Sequence, residues 1–310
     1  YIRILSAGLW PWMAFECLRR FVQANTQMRL PAVVLAGAAL LHLVCHWAFV
    51  WRRFEHASFT AVAWISVATY WAMFIGLAAC TLHWDVLRPA WSARGTDALV
   101  SAQFYALAVP AMIEACGEYM AFEFLTMLAT YLGPASLAAQ AVVFSSMSMV
   151  YQLPHGLGAA AAVRIGQQLG RGDSAGAQFS AMVLAAGGLA YSLLGTAFFV
   201  FCGRWWVTTY TQDPGVVDIA SRLVLVAATI EWADATRGIV PGILRGMGKQ
   251  RRAASINIGA YYFVALPLAA LAVLVLDACA LGLWVAFAVG MYALSGSYLF
   301  LVARADWAKE

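Results

Sequence analysis

The chain has 310 residues, of which 63% are hydrophobic and 11% charged, and a net charge of +4 from 19 basic and 15 acidic residues. Soluble domains carry about 45–50% apolar and about 25% charged residues, so composition and a mean hydropathy of +0.76 exclude a soluble domain, a disordered chain, a collagen and a disulfide scaffold. What remains is an all-α polytopic membrane protein, because a transmembrane barrel would show short alternating segments and a nucleic-acid binder a concentrated basic patch.

Nine apolar segments follow in chain order, over residues 2–22, 31–51, 58–82, 100–132, 136–163, 176–202, 215–244, 254–276 and 279–303. Each is near or above the roughly 20 residues that cross a bilayer. The first carries Pro11 and ends in Glu16, Arg19 and Arg20; the fourth, fifth and seventh are long enough to predict tilt, kinks or helical extensions. Alternating the loops puts thirteen basic residues on one side: Arg19, Arg20, Arg29, Arg88, Arg94, Arg164, Arg171, Arg245, Lys249, Arg251, Arg252, Arg304 and Lys309. Four fall on the other, Arg3, Arg52, Arg53 and Arg204, while Arg222 and Arg237 read as intramembrane. This bias predicts a cytoplasmic C-terminus and, nine being odd, an outer Tyr1. The longest loop runs from about Leu82 to Leu99, with His83, Asp85, Arg88, Pro89, Arg94, Gly95 and Asp97, and predicts a boundary between residues 1–92 and 93–310. Leu18-Arg19 echoes Leu244-Arg245, as parallel repeats in transporters do. With equal halves, six spans follow the loop and three precede it, so three more are expected before Tyr1.

Ionisable residues inside a bilayer are costly and mark candidate sites. Glu114, Glu118 and Glu123 lie in the fourth segment; Glu231, Asp234 and Arg237 lie in the seventh. A carboxyl in low dielectric exchanges a proton with its surroundings and, when ionised, holds a cation, which is the physical basis of proton/cation antiport. Helical spacing puts Glu114 with Glu118 on one face and Glu231 with Asp234 on another. Glu123 is about 140° from Glu118 on an ideal helix, so the two share a cavity only if the helix bends, with Gly117 as the candidate hinge. The alternative for all of these groups is structural pairing with arginine or backbone. Beside the acids stand Tyr119, Phe122, Trp232, Tyr261 and Tyr262, whose ring faces suit an organic cation.

Other patterns read as structural. The six cysteines, Cys17, Cys45, Cys80, Cys116, Cys202 and Cys279, are widely spaced packing residues, neither disulfides nor zinc ligands. His42 and His46 have a metal-like spacing but no third ligand, so packing or hydrogen bonding is expected and no metal is predicted. Gly170-Arg171-Gly172-Asp173 matches the G-x-G-D of intramembrane aspartyl proteases, but it stands in a basic loop with no second aspartate motif and reads as a turn. Neither a Walker A loop nor a nucleophile elbow is present, so no enzyme or ATP-driven pump is predicted.

At the acids the chain resembles a known family. Glu118-Tyr119-Met120-Ala121-Phe122-Glu123 is similar to the E-x-x-x-x-E element in the seventh helix of multidrug and toxic compound extrusion (MATE) transporters. Pro154-x-Gly156, Ala159, Ala160, Arg164-Ile165-Gly166 and Leu169-Gly170-Arg171-Gly172 resemble the run that follows it. Asp234, then Leu244-Arg245-Gly246-Met247-Gly248-Lys249-Gln250, Asn257, Gly259-Ala260-Tyr261-Tyr262 and Pro267, resemble helices ten and eleven of the eukaryotic-type branch. Leu18-Arg19-Arg20-Phe21 and Gln23 resemble the end of helix four.

The resemblance implies a fold of twelve helices in two six-helix lobes. Residues 1–92 would then be the second half of one lobe (three helices), and residues 93–310 a complete second one. It implies export of organic cations or amphiphiles in exchange for H⁺, or for Na⁺ in some members, with no cofactor. It also implies a plasma, vacuolar or vesicular membrane, with the bilayer and small-molecule cations as partners, no nucleic acid and no obligate protein partner. By position, Glu118 and Asp234 would bind proton or cation and Glu123 would support substrate binding, with Tyr119, Phe122, Trp232 and Tyr262 at the substrate. Two departures bear on ion stoichiometry. Arg237 stands where relatives often have a small or neutral residue, and Gln140 lies where some animal relatives carry a further glutamate. Two other readings are a lipid-linked precursor flippase of the same superfold and a non-transporting membrane fragment. The flippase would favour a cationic cleft; the fragment is motivated by the missing helices.

Overall fold

A computed structural model of the chain describes residues 1–25, 27–51, 59–83 and 98–307. The described residues form helices α1 (Ile2–Ser6), α2 (Leu9–Ala24), α3 (Arg29–Trp51), α4 (Phe59–His83), α5 (Ala98–Thr130), α6 (Pro134–Gly170), α7 (Ser174–Thr208), α8 (Pro214–Gly246), α9 (Gln250–Val275) and α10 (Ala280–Ala303). They correspond in order to the nine predicted segments, with the first divided into α1 and α2. Gly8 separates the two, against Tyr70 and Val67 of α4. Pro11, read above as lying inside one span, instead sits in the first turn of α2, where a missing N–H costs nothing. The loop residues Asp85, Arg88, Pro89, Arg94, Gly95 and Asp97, together with Arg52, Arg53 and Lys309, lie outside the described residues.

The chain divides into two compact units, Tyr1–Thr96 and Asp97–Glu310. In the first, α4 packs on α1, α2 and α3. His42 and His46 stack with ring centroids 4.4 Å apart, and His42 Nδ1 pairs with the Thr69 hydroxyl at 2.9 Å, the packing role expected of them. Arg19 pairs with Glu16 at 2.5 Å.

In the second unit α8 is central, packed by α6, α7 and α10, while α5 lies on α9. The sequence of α8 explains this position. Ala220, Ala227, Ala228, Ala233, Ala235, Gly238, Gly242 and Gly246 keep its flanks thin, so neighbours approach on several sides. A Cβ on Gly242 would run into the Gly158 carbonyl of α6, and one on Gly158 into the Gly238 carbonyl, so the two backbones touch there. Pro154 packs on Gly238 one turn earlier.

Two tight turns set the helix ends. Gly172 (φ +76°) and Gly248 (φ +72°) take left-handed conformations after α6 and α8. In each, the next residue's N–H returns to a carbonyl of the last turn: Asp173 to Gln168 at 2.9 Å and Lys249 to Leu244 at 2.7 Å. Asp173 then caps α7 by accepting from Gly176 N at 2.8 Å, so the G-x-G-D tetrapeptide is a turn followed by a helix cap. With 37 and 35 residues, α6 and α7 are well over 50 Å long at about 1.5 Å per residue, longer than the roughly 30 Å hydrocarbon core. The extensions predicted for the fourth, fifth and seventh segments are present in α5, α6 and α8, of 33, 37 and 33 residues; that of α7 was not predicted.

Large apolar side chains cover the outer faces, among them Phe104, Met112 and Met127 on α5 and Leu193, Leu194 and Phe201 on α7. Water would not tolerate such a surface; lipid does. Among the described residues five helices, α3, α4, α7, α9 and α10, are long and apolar enough to cross a membrane by length and composition. α8 carries Asp218, Arg222, Glu231, Asp234 and Arg237, which lower its hydropathy. Of the two arginines read as intramembrane, Arg222 is exposed and pairs with Asp218 at 3.0 Å, whereas Arg237 is buried.

Candidate functional site

The site forms where α5, α6, α8 and α9 converge inside the second unit. Asp234 and Arg237 are one turn apart on α8 and share a face. Arg237 Nε and Nη2 both donate to Asp234 Oδ1, at 2.9 and 2.6 Å. The remaining arm reaches α5, where Nη1 donates to Glu118 Oε1. The guanidinium carbon lies 3.8 Å from the Tyr151 ring centroid on α6 and 5.3 Å from that of Phe122 on α5. From α9, Asn257 Nδ2 approaches Glu118 Oε2 at 3.5 Å. Two carboxylates and two aromatic rings from three helices therefore surround one cation.

The arrangement is deep at one end. The Asp234 side chain is 4% exposed and that of Glu118 is 20% exposed, so the site is more accessible at Glu118. Asp234 Oδ2 and Asn257 Oδ1 are buried acceptors without a partner among the described residues. Such atoms are expensive to leave unpaired, and both suit a donor: a proton or a ligand N–H.

The other predicted site residues are placed differently. Phe122 packs edge-on against Phe144 and near Tyr261 and Phe287. Tyr262 donates its hydroxyl to the Gly117 carbonyl at 3.1 Å, tying α9 to α5, and α5 runs through Gly117 as continuous helix. Glu123 is exposed on α5 and makes no hydrogen bond or ion pair among the described residues. Tyr119 is 75% exposed, and Trp232 stacks on Tyr292 at 5.6 Å, outside the Arg237 cluster.

Two further acids are buried elsewhere. Glu114 lies 4.0 Å from Arg245, and its Oε2 has no partner among the described residues. Glu231 is 2% exposed and faces α7, where the missing side chain of Gly195 leaves room for its Oε2; its Oε1 has no partner among the described residues. Sequence reasoning missed Tyr151, the ring nearest the guanidinium. Its only signal was an aromatic three residues before Pro154, too common in an apolar helix to single it out. Gln140 lies apart as well, donating to Thr126 at 3.3 Å beside a cleft of about 480 Å³ lined by Phe144, Ser145 and Ser148. The six cysteines are free, and no group of metal-ligating side chains occurs among the described residues.

The MatE family model matches residues 110–271, more than half of the chain and all of the Arg237 cluster. The chain belongs to the MatE family. It is 28% identical over 308 residues to an uncharacterized transporter of Schizosaccharomyces pombe, which covers 99% of this chain and 57% of that protein. It is 28% identical over 318 residues to multidrug and toxin extrusion protein 1 of Danio rerio, covering 100% of this chain and 52% of that one. To human multidrug and toxin extrusion protein 2 it is 32% identical over 206 residues, 66% of this chain and 34% of that one. The chain thus spans about half the length of the curated relatives it matches. The fold agrees with solved structures. The eukaryotic MATE transporter AtDTX14 superposes with a TM-score of 0.87 at 24% identity, over 99% of this chain and 68% of that one. The Vibrio cholerae transporter VcmN gives 0.83 at 18% identity, over 100% and 70%. With the lipid-facing helices described above, this makes the chain a MatE-family integral membrane protein with several spans.

Proposed function

We propose that this chain serves secondary active antiport, moving organic cations or amphiphilic compounds out in exchange for protons by alternating access. The observation that supports this reading is the cation already held at the meeting of α5, α6, α8 and α9. Glu118, Asp234, Tyr151 and Phe122 stabilise the Arg237 guanidinium, and the same groups suit a cationic substrate. The names of two relatives, multidrug and toxin extrusion proteins 1 and 2, point the same way. Glu118 is the exchange point. Ionised, it holds a cation; protonated from an outside or lumenal acid compartment, it releases one. The two ligands compete for one charge, and their differential affinity for the two access states drives exchange. Asp234 anchors the buried end, and Na⁺ is the alternative coupling ion. Residues 1–92 and 93–310 act as parts of two lobes. The basic loops favour a cytoplasmic C-terminus in a plasma, vacuolar or vesicular membrane.

The test is uptake of a fluorescent organic cation into proteoliposomes with an acidic interior. Uptake should follow the pH gradient in the native protein and be lost in Glu118→Gln, with both proteins monodisperse. Gradient-driven uptake by Glu118→Gln at the native rate would refute the assignment.

A further inference from the structure

Arg251 and Arg252 stand side by side at the start of α9, with Lys249 just ahead of them, and the first turn of α9 holds no acidic residue. Both arginines are exposed, and neither makes an ion pair among the described residues. By contrast, Arg19 and Arg222 each pair with an acid one turn away. Two adjacent guanidinium groups left without a carboxylate repel each other and favour an anion between them.

Grooves flank the pair on both sides. One, of about 260 Å³, extends to Leu107 near the start of α5 and includes Lys249. The other, of about 300 Å³, passes Ser255 and Ile256 and reaches Leu301 on α10. A hydrogen bond of 3.3 Å from the Tyr298 hydroxyl to the Ala253 carbonyl holds α10 to α9 at this level.

Charge and apolar surface follow a fixed order here. By length and composition α9 crosses a membrane from Gln250 and α10 ends its span at Ala303, so the arginines lie where the chain leaves the hydrocarbon. Ile256 is four residues beyond Arg252, about 6 Å deeper at 1.5 Å per residue. Phe104 and Leu107 on α5 and Leu299 and Phe300 on α10 are exposed apolar side chains on either flank. A phospholipid has the same order, a phosphate at the surface and acyl chains beneath it. Free phosphate would use the arginines alone, and an acidic peptide would leave the apolar walls unmatched. Basic pockets between transmembrane helices at the cytoplasmic side suit anionic headgroups, and the guanidinium fork matches phosphate oxygens.

We propose that Arg251 and Arg252 bind the phosphate of an anionic phospholipid, whose acyl chains lie in the flanking grooves toward Leu107 and toward Ile256 and Leu301. The basic-loop bias makes this the cytoplasmic leaflet, where anionic lipids concentrate. The site is separate from the Arg237 cluster and does not rest on the antiport reading.

The experiment is displacement of an acyl-labelled fluorescent phosphatidylglycerol from the purified full chain in detergent, followed by anisotropy. The competitors are unlabelled phosphatidylglycerol, phosphatidylcholine with the same chains, and inorganic phosphate. In the native protein phosphatidylglycerol should compete at about a tenfold or more lower concentration than phosphatidylcholine, and inorganic phosphate should not compete in the same range. Arg251→Gln with Arg252→Gln should reduce the preference to about threefold or less. Arg251→Lys with Arg252→Lys should keep most of it, and Arg171→Gln, in the basic turn after α6, should leave it unchanged. Should the double glutamine variant not purify as a monodisperse species, each single glutamine variant is used, and each should lower the preference by about threefold or more. Equal competition by the two lipids in the native protein would overturn the proposal, as would an unchanged preference in the glutamine variants. Competition by inorganic phosphate as strong as that of phosphatidylglycerol would also overturn it, because the site would then take a free anion.

Discussion

Alanine at Gly242 should weaken the contact that holds α6 against α8. The added Cβ would overlap the Gly158 carbonyl and lie 2.7 Å from Gly158 Cα, both backbone atoms that cannot rotate away. Restoring ordinary contact, which begins near 3.4 Å, from 2.0 Å at the carbonyl oxygen requires a local parting of more than about 1 Å, enough to forfeit about half of the pairwise dispersion contacts there. Overpacking of this kind costs about 1–3 kcal/mol. The gain in helix propensity from glycine to alanine offsets it by about 1 kcal/mol, so the net loss is about 0–2 kcal/mol, and the contrast with a substitution that gains propensity without overlap is about 1–3 kcal/mol. The assay is thermal unfolding in detergent, followed by loss of the monodisperse chromatographic peak. Gly156→Ala is the control: it lies on the same helix as Gly158, and a Cβ there has nothing within 4 Å, so its midpoint should be unchanged or higher. Gly158→Ala with Gly242→Ala should lose less than the sum of the two, because one displacement relieves both overlaps. Gly242→Ala melting at or above Gly156→Ala would refute a contact between the two backbones.

Two smaller effects test a helix cap and a helix-to-helix bond in the second unit. Asp173→Ala removes the cap at the start of α7 and should cost about 1 kcal/mol by the same melting assay; Asp173→Asn should recover most of it. Ser295→Ala removes the buried bond from Ser295 Oγ to the Ala233 carbonyl at 3.0 Å, which joins α10 to α8 one residue before Asp234, and should cost about 1 kcal/mol while Ser295→Thr costs less.

Hydropathy was enough to order the helices, because a span of apolar residues has few other fates. The turns were legible too: Gly170-Arg171-Gly172-Asp173 supplies a left-handed glycine and then a cap, and both act as their chemistry suggests. The break at Gly8 was not, since an uninterrupted apolar run hides a short interruption in which Ala7 and Gly8 keep near-helical dihedrals. The site was half legible. Asp234 and Arg237 are three residues apart on one helix, and their ion pair follows from spacing alone. That Glu118 joins them across 119 residues depends on which face of α5 meets α8. In a helix apolar all round, periodicity does not mark that face. For the same reason Glu123 and Trp232 were expected at the site and stand away from it, while Tyr151 stands in it unannounced. The glycines at 238, 242 and 246, every fourth residue, were the unused signal for close helix contact.

Exchange of a cation for a proton at Glu118 is the step on which the proposed antiport turns. It is tested most directly by recording internal pH, with a trapped dye, while an organic cation is added outside proteoliposomes that hold the protein and an acidic interior. Alkalinisation of the interior should keep step with cation uptake and be absent in Glu118→Gln. Cation accumulation with no change of internal pH in the native protein, sodium being absent, would contradict it.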